Sequence, residues 1–184
     1  MRYLLSVETQ KTLHDMASLA VSFVVNELLS EAHQGKGAYY RAFVFRDDQS
    51  SSPDYRDLVP IYDSWVVGEA NRDRESVYQM CSFEKAVRTV NNFGVGHVSS
   101  YQSRIDNKLF VGAIMFRCII PELGEKPVWV VFSISGLPEM GDEAAALITA
   151  EHMNLRGWTV NIDDLRKVVK ISANSVYKGT LTAA

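Results

Sequence analysis

The residues able to do chemistry in this chain are four histidines, two cysteines, a run of aspartates and a few glycine-containing turns. His14, His33, His97 and His152 are never paired at i,i+4, and neither HExxH nor His-x-His occurs, so no metal site is expected. Cys81 and Cys118 match no metal spacing and read as two buried, reduced thiols. Asp47, Asp48, Asp54 and Asp57 fall in DDQSSSPDYRD, a turn-prone stretch that reads as an exposed loop, not a paired acid–base site. FSISGLP is not a Gly-x-Ser-x-Gly elbow, and its serines lie in an apolar strand. The expectation leans away from an enzyme, with no catalytic residue to name.

Two places remain where a ligand could be met. His97 follows Gly96 in a polar segment beside Ser99, Ser100 and Tyr101, where a loop can face a pocket. Ser135-Gly136-Leu137-Pro138 joins a strand to a helix, a position whose free N–H groups can hold an anion. Glu139, Asp142 and Glu143 already occupy the first turn of that helix, where carboxylates favour the dipole and repel a phosphate. The turn therefore reads first as structural packing and second as a contact for a neutral or cationic ligand, and the expected contacts are His97, Tyr101, Ser135 and Gly136. Gly94-x-Gly96 and Gly35-Lys36-Gly37 follow helical runs and read as helix ends, not phosphate cradles.

The elements that must position these residues can be read from periodicity. Tyr3–Val7 suggests a short first strand, and Thr9–Ala32 a helix with Leu13, Met16, Ala17, Ala20, Phe23, Val24 and Leu28 at helical spacing. Leu19, Val21, Val25 and Leu29 widen its apolar arc, so cover from more than one side is expected, whether sheet and C-terminal segment or a partner subunit. Ala38–Arg46 reads as a strand, and Val59–Val67 as a second, which Pro60 pushes toward an edge. Most aromatic residues of the first strand then belong to the core and not to a base-stacking platform.

Asn71–Glu75 reads as a charged turn before a helix at Ser76–Phe93, with Met80, Phe83, Val87 and Val90 on one face. Glu84, Lys85, Arg88 and Asn91 fall on the other, polar face. Leu109–Ile120 and Val128–Ser135 are apolar strands whose short connector requires antiparallel pairing. Glu139–Asn154 and Ile162–Tyr177 complete the series as helices. The order α-β-β-α-β-β-α with a helical tail predicts one α+β domain: a mostly antiparallel sheet of four to five strands with helices packed against it.

SFEKAVRTVNNFG, then GAI, then VVFSISGLPEMGDEAAALITAEHM resembles the GlcG/HbpS-type haem-binding domain family and its UPF0303 relatives. The matching positions are Lys85-Ala86, Gly112-Ala113-Ile114, Ser135-Gly136-Leu137-Pro138 and Asp142-Glu143-Ala144, over roughly the central two-thirds of the chain. The resemblance implies a profilin-like layered fold, homo-oligomerisation, and small-molecule or haem binding in some members. The chain departs from the family pattern at IDNKLF, which replaces a glycine-rich pocket wall, and near Phe45, where the family's hairpin motif is not evident.

Composition narrows the classes. A chain of 184 residues, 47% apolar and 22% charged, suits a single domain with its own core. A net charge of −3 argues against a nucleic-acid partner. No run approaches the ~20 apolar residues of a membrane span, and no signal peptide is read at the N-terminus, so the expected compartment is the cytoplasm. The expected function is a non-enzymatic small-ligand or cofactor-binding oligomer, the alternative an assembly or regulatory protein without a ligand.

Overall fold

Ser6 stops the chain from starting as a strand: its hydroxyl accepts the Thr9 N–H and its own N–H is held by Glu122. This N-cap opens helix α1, Val7–Phe23, where Tyr3–Val7 had suggested extended chain; Tyr3 itself lies outside the described residues. A computed structural model describes residues 4–30, 36–45, 53, 55–68, 72–104 and 110–182. Past Phe23 the helix widens into one π-turn, Val24–Leu28, closed by the Leu29 N–H on the Val24 carbonyl.

Among the described residues, five strands form one wholly antiparallel sheet in the order β2-β1-β4-β3-β5. Strand β1 is Ala38–Phe45, β2 Val59–Val66, β3 Ala113–Ile119, β4 Val128–Ser135 and β5 Thr159–Val160. Two hairpins, β1–β2 and β3–β4, are thus fused side by side through β1 and β4. The edge position that Pro60 predicts for β2 is observed. Strand β3 is shorter than Leu109–Ile120, and its outer edge is capped: Asp164 accepts the Arg117 N–H and grips its guanidinium through Nε and Nη2.

Helix α2, Arg72–Asn91, covers one face of the sheet; α1 and α3, Glu139–Leu155, cover the other, with α4, Ile162–Ser172, alongside β3. Alternation along β1 and β4 feeds two cores. Tyr40, Ala42, Phe132 and Ile134 face α1 and α3, while Phe43, Phe45, Trp129 and Val131 face α2. The expected α+β domain with an antiparallel sheet is therefore observed. Of the loop expected at 47–57, residues 47–52 and 54 lie outside the description; Pro53 is buried and Tyr55–Asp57 form a 3-10 turn.

Helix α2 is turned relative to expectation. Met80 is 67% exposed and Phe83 41%, whereas Ser82, Lys85, Ala86, Thr89 and Val90 face inward. The helix also starts at Arg72, absorbing most of the charged turn expected at 71–75. The cause is a buried polar contact made by Lys85, described below.

Cys118 is buried, and burial pushes its thiol up to about 12, while Cys81 is half-buried. Because only the thiolate reacts, Ellman's reagent at pH 8 should label Cys81 alone in the folded protein. Both thiols should react after denaturation; rapid labelling of Cys118 in the native state would contradict this packing.

Candidate functional site

The Lys85 ammonium reaches past the end of the sheet from α2 to α3. Its Nζ donates to Asp142 Oδ2 at 2.8 Å and to the Ile134 carbonyl at 2.7 Å, with 1% and 3% of the two side chains exposed. The other carboxylate oxygen accepts the Leu137 N–H at 2.9 Å, and the Gly136 N–H also points to this carboxylate. The strand-to-helix junction does hold an anion, and that anion is its own Asp142. Burial pushes the Asp142 carboxyl up to about 6, against the opposing pull of Lys85 and the two amides.

Two glycines make room for this arrangement. At Gly112 (φ +132°) a Cβ would stand 2.6 Å from the Asp142 Cβ and 3.0 Å from the Lys85 Nζ. At Gly136 (φ +145°) it would stand 2.8 Å from the Gly37 carbonyl oxygen. Glu143, next in sequence to Asp142, is also enclosed and faces a different set of donors. It accepts from the Ser99 hydroxyl at 2.7 Å and from the Asn174 amide at 3.1 Å. Burial raises its carboxyl as well, with these hydrogen bonds pulling the other way. The two acids that sequence placed in the first turn of the helix are interior groups.

Of the four expected contact residues, Gly136 meets Asp142 directly and Tyr101 meets Ser99, a donor to Glu143. Ser135 is 6% exposed and paired in the β1–β4 ladder, opposite Tyr39. Gly136 spends its N–H on Asp142. His97 is half-buried; its N–H donates to the Asn92 carbonyl, and its Nδ1 is enclosed with no hydrogen bond among the described residues. The Tyr101 N–H donates to the Ser99 hydroxyl, and the Arg104 guanidinium lies 4.5 Å from the Tyr101 ring centre. Arg88, read as a surface residue, instead clamps this segment through the Ser100 and Phe110 carbonyls. Haem needs an axial ligand beside an open apolar slot; packed Ser135 and Gly136 do not supply its wall.

An open volume of about 670 Å³ lies elsewhere, between α1, α3, α4 and the C-terminal segment 178–181. Leu19 and Phe23 line it from α1, Ile148 and Leu155 from α3, Ile162 from α4 and Leu181 from the tail. Its polar groups include His152, Arg166 and Lys178. Glu151 also lines it, with its carboxylate occupied by the Thr180 N–H and hydroxyl and by the Tyr177 phenol. The size and the mostly apolar lining fit a small-molecule site. Among the described residues no group of three or more His, Cys, Asp or Glu could hold a metal ion.

No family model, curated protein or solved structure matches the chain. The groove therefore has to be judged by its own chemistry. Sequence carried one sign of it, the overly wide apolar arc of the first helix. Leu19 from that arc is 57% exposed, and Phe23, assigned to the core stripe, is 46% exposed. What sequence could not show is that both stay exposed beside the described residues 178–181.

Replacing Lys85 by Met strands the Asp142 carboxylate and should cost about 3–5 kcal/mol in urea unfolding near neutral pH. Burial is then opposed only by the Leu137 and Gly136 amides, so the folded carboxyl rises above its wild-type value and further from an unfolded aspartate near 3.9. The deficit should accordingly grow as pH rises above about 6 and level off below it, where the carboxyl is protonated in both folded proteins. Adding Asp142→Leu should recover much of the loss. A pH-independent deficit, or none, would contradict a buried pair.

Proposed function

We propose that this protein is a non-enzymatic small-ligand-binding domain whose site is the groove between α1, α3, α4 and the C-terminal segment. The single observation behind this reading is an open, apolar-lined space of about 670 Å³ beside the main core. Exposed Leu19, Phe23 and Leu155 around it are 57%, 46% and 80% accessible, a cluster that an apolar guest would remove from water. His97, Tyr101, Ser135 and Gly136 act in this reading as scaffold around Asp142 and Glu143. Haem, implied by the family resemblance, would have to be met in the groove, where His152 is the histidine among the described lining residues.

Titration with N-phenyl-1-naphthylamine, a neutral apolar fluorophore, tests the reading. Saturable enhancement is expected, and Phe23→Glu, at a half-exposed position, should weaken it about tenfold, equivalent to about 1.4 kcal/mol. Absence of saturable binding to the wild-type protein would overturn the reading. A haem titration with His152→Ala as control separates haem from other apolar guests.

A second reading, self-assembly, rests on a different observation. Val77, Met80 and Phe83 follow one another at i, i+3 and i+6 on α2 and are 46%, 67% and 41% exposed. Buried against a second copy, this stripe would make the homo-oligomer that sequence suggested. Light scattering should then show a dimer that Met80→Lys converts to monomer, whereas a monomeric wild type would dismiss it.

A further inference from the structure

The groove's polar groups say what kind of guest it fits, and this step rests on the ligand-binding reading above. Lys178 is exposed and makes no ion pair among the described residues. Arg166 engages Asp163 at 3.2 Å through Nη1 alone, so further guanidinium donors stay open. The His152 Nδ1 is enclosed and has no hydrogen-bond partner among the described residues. The lining's carboxylate, Glu151, is already satisfied by Thr180 and Tyr177, and Asp163, the partner of Arg166, is 86% exposed. What the groove leaves unmet therefore includes two cationic donors, Lys178 and Arg166, beside an apolar floor.

We propose that the guest is a single-chain amphiphile taken from solution: an apolar chain bearing one anionic head, a carboxylate or phosphate monoester, held by Lys178 and Arg166. The floor of Leu19, Phe23, Ile148 and Ile162 takes the chain. A neutral guest of the same length would bury the same apolar area and leave those donors unanswered. Charge-assisted hydrogen bonds are about twice as strong as neutral ones, so the head group should set the preference.

Displacement of N-phenyl-1-naphthylamine by dodecanoate, dodecyl phosphate and dodecanol reads this directly. Both anions should displace the probe at concentrations about tenfold below dodecanol in low salt. The combined variant Lys178→Gln and Arg166→Gln, both at exposed positions, should bring that ratio to about one, with folding checked by circular dichroism. Raised salt should narrow the wild-type ratio in the same direction. Equal displacement by dodecanoate and dodecanol would overturn the head-group assignment while leaving a general apolar site. Failure of the fluorophore itself to bind would remove the underlying reading, and this inference with it.

Discussion

The Lys85–Asp142 ion pair is the constraint from which most of this architecture follows. Two charges taken out of water are tolerated only when each is met at short range and the remaining lone pairs are filled. Asp142 meets that condition with Lys85 on one oxygen and the Leu137 amide on the other, and the Gly136 amide faces the same carboxylate. To reach it, Lys85 must point inward, and this sets the rotation of α2. Ser82, Ala86, Thr89 and Val90 then face the sheet, and Met80 and Phe83 are left outside. The pair also joins the two faces of the sheet, since Lys85 comes from the helix on one side and Asp142 from the helix on the other.

The same pair takes up the free amides of the strand-to-helix junction. A helix start with free amides attracts an anion, and here the helix supplies one from its own first turn. Gly112 and Gly136 have no Cβ to block the approach, and Ser99 and Asn174 close Glu143 next door. The motif that carries the family resemblance, from Lys85 through Gly112 and Gly136 to Asp142, thus forms one spatial unit. Its chemistry is used up in holding the layers together.

The fold was legible because its evidence is local. The bounds of Val128–Ser135, the antiparallel β3–β4 hairpin and the helix from Glu139 follow from apolar runs, short connectors and a proline. The N-terminal strand failed because a two-residue signal, the Ser6 hydroxyl on Thr9, outweighed a short apolar run. The face of α2 failed for a non-local reason: hydrophobicity alone puts Lys85 outside, and its partner lies 57 residues away. Strand β5, two residues long, has no periodicity to detect. The groove was legible only as an excess, an apolar arc on α1 wider than a single packing surface requires.

The buried ion pair and the open groove occupy different parts of the molecule. The side chains of Lys85, Asp142 and Glu143 are almost wholly buried. The groove, by contrast, has one wall built from the end of the chain, stitched down by a few polar contacts. Asn174 fixes the turn through the Met140 carbonyl and the Val176 and Tyr177 amides, and Tyr177 fills a buried slot. Beyond it, Thr180 on Glu151 and the Leu181 N–H on the Tyr177 phenol hold the segment that borders the cavity. Such a wall can open locally at far lower free energy than the core it rests on. A guest lying against Leu181 would add apolar contact to this segment, so occupancy and ordering of the tail would reinforce one another. The Asn174 contact to Glu143 is the physical link between that wall and the buried carboxylates.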